Sequence, residues 1–339
     1  MSTHVKAAPG SGQGPARPES VTPTLLRAWP LPGGGSGKDD RGSVLVIGGA
    51  RMTPGAVLLA GVAALRSGAG RLTLAVAESV AVPLAVALPE AGVLRLPETA
   101  SGTVKGSSAA AVLAAPVEAA DAVLIGPGLD DKDEATALLR ALLKVPAGKR
   151  PPAIILDAFA LGSLPELAGE LGPWAGRLIL TPNVTEAGIL LGHDAGHLAR
   201  DVPELAEKYG AVVSCQGVIA RPVGAARRAD GAKGGGAEAG GAEGGGAEAG
   251  GAEGGGARAS LWEITTGHSG LGTSGSGDVL SGTIAGLRAR GTTDAQAACW
   301  GTHLHAAAGD RLASRLGGLG YLARELTDEL PPLMMELGS

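Results

Sequence analysis

Short apolar runs alternate with longer helical segments over most of this chain. Val44–Ile47 is a four-residue apolar run that ends in two glycines, a pattern typical of a buried strand followed by a turn. A proline then opens the helical segment Gly55–Ser67, and a glycine follows its end, as expected at the two ends of a helix. Arg71–Val76 is the next strand. This strand–helix–strand unit predicts a parallel sheet.

The same alternation continues towards the C-terminus and predicts an α/β protein. Helices are predicted over Ala135–Leu143, from Asp278 onwards, over 294–316 and over 321–330. Two β-like stretches near residues 220 and 262 are expected to form a hairpin. The further predicted strands are Ala122–Ile125, Ala153–Leu156, Leu178–Leu180, Ala211–Ser214, Ile219–Val223 and Ser260–Thr265.

Two segments fall outside this alternation. Residues 1–40 are rich in Pro, Gly and Ser and are expected to form a disordered tail, in which Gly33–Lys38 imitates a phosphate-binding loop but lacks its flanking residues. Residues 231–259 contain the repeat GGGAEAGGAE, which has no apolar side chain larger than alanine and cannot offset its ordering entropy. We therefore expect one domain over 41–335, with 231–259 inserted at the hairpin tip.

Composition excludes several classes of protein. The 339 residues carry a net charge of −5 and 2% aromatic residues, which argues against nucleic-acid binding. Cys215 and Cys299 are the only cysteines, so neither a zinc motif nor a disulfide framework is present, and a reducing, cytoplasmic setting fits. No apolar run is long enough to predict a membrane span or a signal peptide. Glycine, at 58 residues, is over-represented.

Glycines and polar residues cluster where the predicted strands end. In an open parallel sheet, ligands bind at the carboxyl ends of the strands. The residues at these ends are Gly48, Gly49, Gly126–Gly128, Asp157, Asn183, Glu186 and the loop before Asp278. Glycine allows a backbone to approach a ligand closely. The sequence therefore predicts a ligand site at this edge of the sheet.

The segment Gly270–Asp278 reads GLGTSGSGD and leads into an apolar helix. Consecutive small residues at a helix N-terminus present unshielded backbone N–H groups to an anion, as phosphoryl transfer requires. Asp278 in the first turn can accept a proton from a hydroxyl that attacks phosphorus. It can also be a simple helix cap, although the density of Gly and Ser exceeds what capping requires.

Other polar patterns are ambiguous. Asn183 and Glu186 can hold a Mg²⁺–phosphate, or they can form a turn with an acidic residue at a helix start. Asp157 can equally be a turn residue. His303 and His305 point to different sides of a predicted helix, so they favour a packed helix over a metal site, and His268 is a ligand contact or an exposed loop residue.

Taken together, these segments resemble the ADP/ATP-dependent NAD(P)H-hydrate dehydratases, a branch of the ribokinase-like superfamily. The resemblance spans about 43 to 331 in family order. It rests on VLVIGGARMTPGAVLLAGVAALRSGAGRLTLAV (44–76), LPEAGV (88–93), DAVLIGPGL (121–129), ILDAFAL (155–161), LILTPNVTEAGILLG (178–192), GLGTSGSGDVLSGTIAGLRARG (270–291), THLHAAAGD (302–310) and LARELTDELP (322–331).

The resemblance implies a three-layer sandwich with a central, mostly parallel sheet flanked by helices, assembled as a homo-tetramer. It implies an enzyme that uses ADP or ATP, with Mg²⁺, to phosphorylate the C6 hydroxyl of hydrated NADH or NADPH and then eliminates phosphate. By the family motif, Asp278 is the base. The resemblance also implies an anion hole at Gly275, Ser276 and Gly277, nucleotide contacts at Gln216, Gly217, Val218, Ile219 and Gly277, a substrate pocket at Ala56, Gly128, Asn183 and Asp278, and a Mg²⁺ ligand at Glu186.

The sequence departs from the family pattern in four places. Asn183-Val-Thr-Glu186 replaces the usual HPGE, Gln216 replaces a lysine, Ser274 replaces a glycine and Phe159 stands where Asp or Gly is common. The fused epimerase domain of many bacterial members is not expected within residues 1–40. Two alternatives remain: a kinase of the same fold that acts on a hydroxymethylpyrimidine, a thiazole or a sugar, and a catalytically impaired nucleotide-binding homologue.

Overall fold

The computed structural model describes residues 17–146, 148, 150–223 and 260–338. Within these residues the strands form one ten-stranded sheet with the order β1-β10-β9-β8-β7-β6-β5-β2-β3-β4. The strands are β1 Glu19–Ser20, β2 Ser43–Gly48, β3 Arg71–Ala77, β4 Gly92–Leu96, β5 Ala122–Ile125, β6 Ala153–Leu156, β7 Leu178–Leu180, β8 Val212–Cys215, β9 Val218–Ala220 and β10 Leu261–Glu263.

The sheet is parallel from β4 through to β8, and β9 is antiparallel to both of its neighbours. All side chains of β5, β6 and β7 are buried, which explains their uninterrupted apolar sequences. The predicted bounds of these three strands are confirmed. The described part of the chain has no helix long and apolar enough to cross a membrane.

Helices flank the sheet. They are α1 Pro23–Ala28, α2 Pro54–Arg66, α3 Glu78–Ala87, α4 Gly106–Ala119, α5 Lys132–Leu142, α6 Phe159–Gly162, α7 Leu164–Leu167, α8 Val184–Leu191, α9 Leu198–Tyr209, α10 Ser276–Ala289, α11 Asp294–Leu316 and α12 Ala323–Glu336. The apolar pattern did not predict α3 and α4, which consist largely of Ala and Val and contain an internal proline.

Helix α10 packs closely and in parallel against α2. A Cβ atom on Gly282 would lie 2.2 Å from the carbonyl oxygen of Ala60, and one on Gly286 would lie 2.4 Å from that of Ala64. The helices can therefore approach this closely only because these positions are glycine.

The expected disorder of residues 1–40 is wrong for the part that the structure describes, residues 17–40. Strand β1 pairs with β10, and Leu26 in α1 is fully buried. The carbonyl of Trp29 accepts hydrogen bonds from Trp300 Nε1 at 2.9 Å and from Gln296 Nε2 at 3.1 Å. A few apolar side chains therefore order this segment, because partners for them lie elsewhere in the chain. Residues 1–16 and the whole of the predicted 231–259 insertion lie outside the described residues.

Candidate active site

A cavity of about 510 Å³ lies at the carboxyl edge of the sheet, beside the start of α10. It is bounded by the loop after β7, the turn after β8, the loop 264–272 and the middle of α11. Its lining residues are Thr181, Pro182, Asn183, Ser214, Gln216, Gly217, Ile264, Thr266, Gly267, His268, Ser269, Leu271, Gly272, Ser276, Gly277, Leu280, Thr302, His305 and Ala306. The structure thus brings together residues from four separate parts of the sequence.

The N-terminus of α10 is open towards this cavity. Gly275 stands at the N-cap position with φ of 87°, and no side chain caps the helix. The amide of Ser276 donates to the carbonyl of Thr273 at 3.2 Å, whereas the amides of Gly275 and Gly277 have no hydrogen-bond partner within the described residues. Two of the three predicted anion-hole amides are therefore available to a ligand, and that of Ser276 is not.

His305 holds the first residue of this helix. Its Nε2 lies 2.8 Å from the hydroxyl and 3.0 Å from the carbonyl oxygen of Ser276. Burial lowers the pKa of His305 to about 4, so the ring is neutral at physiological pH. Within the described residues, no group of three His, Cys, Asp or Glu side chains lies close enough to hold a metal ion. The predicted packed-helix role of His305 thus has a specific partner at the site.

Asp278 lies in the first turn of α10 and is partly buried. Burial raises the pKa of its carboxyl to about 6. The carboxylate is therefore mostly ionised at neutral pH, and its proton affinity is higher than that of an exposed aspartate. A general base is most effective in this range.

Asp157 follows β6 immediately and lies near enough to Asp278 for the two charges to interact. It is 5% exposed, and its carboxylate accepts hydrogen bonds from Ser281 Oγ at 2.8 Å and from Thr181 Oγ1 at 2.9 Å. Burial, and secondarily the charge of Asp278, raises its pKa to about 7. Sequence reasoning leaves Asp157 undecided between a ligand and a turn residue, and it does not identify Ser281 as its partner, since the contact spans distant parts of the chain.

Asn183 and Glu186 form a capping box at the start of α8. The side-chain oxygen of Asn183 accepts from the amide of Glu186 at 2.9 Å, and Glu186 Oε2 accepts from the amide of Asn183 at 2.9 Å. Burial raises the pKa of Glu186. Asn183 lines the cavity, so the structure gives this residue a capping role beside the predicted pocket role.

Gln216 and Gly217 form the two-residue turn between β8 and β9. Both have positive φ, 45° and 84°, as in the type I′ turns that join antiparallel strands. Both line the cavity, whereas the side chain of Ile219 is fully buried and Val218 is partly buried within β9. The described lining residues include neither Lys nor Arg. His268, exposed at the cavity rim, accepts from the amide of Gly270 through Nδ1 at 3.1 Å.

Ala56 and Gly128 do not line the 510 Å³ cavity. The carbonyl of Gly128 accepts from the amide of Ala50 and the hydroxyl of Thr53, both at 2.8 Å. A Cβ on Gly128 would lie 2.3 Å from the carbonyl oxygen of Thr53, which requires glycine here. The same Cβ would lie 3.2 Å from Ala56 Cβ, so Ala56 and Gly128 are neighbours.

The sheet order, the flanking helices and the open helix N-terminus define an α/β protein of the ribokinase-like fold. A ribokinase-like superfamily protein from Enterococcus faecalis superimposes on it with a TM-score of 0.70 and 21% sequence identity, covering 98% of this chain and 99% of that one. The predicted fold class is confirmed.

The chain belongs to the NAD(P)H-hydrate dehydratase family, whose family model matches residues 44–242 and 257–332. An ADP-dependent (S)-NAD(P)H-hydrate dehydratase from Xanthomonas campestris is 39% identical over 326 residues, which are 95% of this chain and 98% of that protein. The structure of an ADP/ATP-dependent NAD(P)H-hydrate dehydratase from Bacillus subtilis, co-crystallised with ATP and Mg²⁺, is 25% identical with a TM-score of 0.67, covering 94% and 98% of the two chains. The predicted family is confirmed.

Proposed function

We propose that the chain is an ADP-dependent (S)-NAD(P)H-hydrate dehydratase. The proposal is supported by the family, by the activity for which the Xanthomonas relative is named and by the chemistry of the site. The observation that carries it is a carboxylate of raised pKa, Asp278, in the first turn of a helix whose N-terminus is uncapped. This combination suits the transfer of a phosphoryl group to a hydroxyl.

In the proposed reaction, Asp278 accepts the proton of the C6 hydroxyl while the hydroxyl oxygen attacks the terminal phosphorus of ADP. The bond from that phosphorus to the bridging oxygen breaks, and AMP leaves. The ring nitrogen then expels phosphate from C6, and loss of a proton from C5 restores the double bond of the reduced nicotinamide. Phosphorylation thus converts a poor leaving group into a good one, and atoms and charges balance without an oxidant or reductant.

The amides of Gly275 and Gly277 are proposed to bind the phosphoryl oxygens. They lack protein partners within the described residues, and the helix dipole adds partial positive charge at this end. Gln216 and Gly217 are proposed to contact the nucleotide from the opposite wall of the same cavity. Ala56, Gly128 and Asn183 are proposed to contact the hydrated nicotinamide nucleotide, as the resemblance to the family implies.

The oxygen donors at the site fit Mg²⁺, which is usually held by one or two carboxylates together with substrate phosphates. Glu186 keeps one carboxylate oxygen that the capping box does not use, and burial raises its pKa, so a nearby cation would stabilise the ionised form. We propose Glu186 as the protein ligand. When bound, the ion would neutralise part of the phosphate charge.

A cytoplasmic location and a homo-tetramer complete the proposal. Cys215 and Cys299 are both free and buried, as suits a reducing compartment. Val82 and Val86, on one face of α3, are 70% and 77% exposed and offer an apolar surface to a further copy of the chain. Sedimentation equilibrium would measure the oligomeric state.

The test is to incubate the chain with hydrated NADH and Mg²⁺, with ADP or with ATP, and to follow the near-ultraviolet absorbance of the reduced nicotinamide. We expect restoration with ADP. A stable phosphorylated product without restoration would instead indicate a kinase, and no product with either nucleotide would overturn the proposal. Asp278→Asn should reduce turnover by about 10²–10⁴-fold while ADP still binds in calorimetry, and turnover equal to that of the wild type would refute the base assignment.

A further inference from the structure

We infer that Asp157 is the positioning residue for the base: its carboxyl ties the helix turn that carries Asp278 to the sheet and to the loop that carries Asn183. The inference rests on the proposed function, since it names the residue that holds the proposed base in place. Asp157 itself is buried and does not line the cavity. Of its two side-chain hydrogen-bond partners, Thr181 and Ser281, only Thr181 lines the cavity.

Two hydrogen bonds connect Asp157 to the helix turn that carries Asp278 and to the loop that carries Asn183. Its Oδ2 accepts from Ser281 Oγ at 2.8 Å, and Ser281 lies one helical turn after Asp278 and also contacts the carbonyl of Asp278 at 3.3 Å. Its Oδ1 accepts from Thr181 Oγ1 at 2.9 Å, two residues before Asn183. One carboxyl therefore sets the base and the substrate loop relative to each other.

The backbone around Asp157 leaves it little freedom. The next residue, Ala158, has φ of 50°, a conformation that costs about 1–3 kcal/mol for a residue other than glycine. A Cβ on Gly126 would lie 1.8 Å from the carbonyl oxygen of Asp157, so the adjacent strand end allows no side chain. Such strain persists only where the surrounding structure holds it, and the two hydrogen bonds set the direction of the carboxyl.

The charges that face Asp157 argue against a role in stability alone. The ionisable groups that act on Asp157 are Asp278 in α10 and Glu186 in α8. Both are acidic, so neither supplies a positive charge that would compensate for the burial of Asp157. Burial and the charge of Asp278 raise the pKa of Asp157 to about 7. Asp157 and Asp278 therefore titrate as a coupled pair, in which the base can ionise while its neighbour still holds a proton.

The first experiment compares Asp157→Ala, Asp157→Asn and the wild type in the repair assay. Loss of the carboxyl in Asp157→Ala should lower kcat about 10- to 100-fold, while the Kd for ADP changes less than about twofold, because a small misplacement of a catalytic group slows chemistry. Asp157→Asn preserves the shape and should recover kcat to within about threefold of the wild type. It should also remove the titration near pH 7 from the pH profile of kcat.

Asp201→Asn is the matched control. Asp201 is also fully buried and accepts two hydrogen bonds, from the amide of His197 and from Arg200, but it lies in α9 and does not line the cavity. It should lower stability without changing kcat. A wild-type kcat in folded Asp157→Ala would overturn the inference. If that variant does not fold, Ser281→Ala and Thr181→Val test the same two bonds, and a wild-type kcat in both would overturn it as well.

A measurement without turnover separates this inference from the proposed function. The carboxyl ¹³C signal of Asp278 can be recorded by NMR in the wild type, in Asp157→Ala and in Asp201→Asn, at a pH where Asp278 is ionised. Loss of the hydrogen bond to Ser281 should alter the surroundings of the Asp278 carboxylate, so its signal should shift or broaden in Asp157→Ala only. An inactive wild type would overturn the proposed function while this signal still tests the positioning, and an unchanged signal in Asp157→Ala would overturn the positioning.

Discussion

Two helices begin at the same edge of the sheet, and they differ in whether side chains bond the backbone amides of the first turn. Helix α8 closes its first turn with side chains, because Asn183 and Glu186 bond each other's backbone amides. Helix α10 leaves its first turn open: Gly275 has no side chain, and the hydroxyl of Ser276 is bonded to His305. A helix start becomes an anion site only when nothing in the protein already satisfies its amides.

The same contrast explains why two acidic residues in first turns differ in expected role. Glu186 contributes one oxygen to its own helix start, so it is partly structural. Asp278 makes no side-chain hydrogen bond within the described residues, and burial raises its pKa to about 6. The free carboxylate is the better base, and the engaged one is the better candidate for a fixed ligand.

The largest effect on activity is expected from a substitution that covers the open N-terminus of α10. A Cβ on Gly277 meets no protein atom within 4 Å, so Gly277→Ala should fold normally. Its methyl group should nevertheless shield the amides and lower kcat by about 10²-fold, the loss typical of one oxyanion donor. Steady-state kinetics and a thermal melt would measure both effects.

Gly275→Ala is the counterpart with the opposite outcome. Gly275 has φ of 87°, and a Cβ there would lie 2.5 Å from Leu59 Cδ1. The Gly275→Ala substitution should therefore lower the free energy of unfolding by about 1–3 kcal/mol. A fully active Gly277→Ala enzyme would contradict the assignment of the open helix end to phosphate.

Acidification should lower the activity of the site at the open N-terminus of α10. Because the pKa of Asp278 is about 6, kcat/KM should fall about tenfold per pH unit below that value and level off above it. Stability should move the other way: Asp157 and Asp278 bind protons more tightly in the folded state, so their contribution to the free energy of unfolding decreases as pH rises from about 4 to about 7. A pH profile without an acid limb would exclude Asp278 as the base.

A cation introduced at residue 216, across the cavity from the open N-terminus of α10, should strengthen the binding of ADP. Gln216 is exposed at the cavity, whose described lining residues include neither Lys nor Arg. Gln216→Lys should therefore tighten ADP binding by up to about tenfold at low salt, with the gain shrinking as ionic strength rises. Gln216→Met, similar in length but uncharged, should leave affinity unchanged. Equal Kd values for the two variants would show that residue 216 does not approach the phosphates.

The smallest effect is expected at the closed helix start. Asn183→Ala removes the cap of α8 and should lower the free energy of unfolding by about 1 kcal/mol. Thr293→Ala removes a comparable cap from α11, where Thr293 Oγ1 accepts from the amide of Gln296 at 3.2 Å. Both should cost similar stability in urea unfolding, but only Asn183→Ala should raise the KM for the hydrate. An unchanged KM would restrict Asn183 to its capping role.

Much of this arrangement was predictable from local patterns. Buried strands such as β5 and β6 appear as continuous apolar runs, and the density of Gly and Ser before Asp278 indicates a helix start that binds an anion. Residues 17–32 show the limit of such patterns, because the Pro-, Gly- and Ser-rich composition of the segment 1–40 predicts disorder although 17–32 contain several apolar residues. Their order depends on Trp262 and Trp300, with which Trp29 stacks or bonds, more than 200 residues away in sequence.

By itself, the sequence determined the alternation of strands and helices, the family and the identity of the candidate base, because periodicity and motifs are local properties. Only the tertiary structure decided which helix start stays open and which is capped, since Gly275 and Asn183 both looked suited to a ligand. It alone joined Asp157 to Ser281, 124 residues apart in sequence. Burial and long-range hydrogen bonds set the proton affinity and the direction of a carboxylate, and neither is recorded in any local pattern.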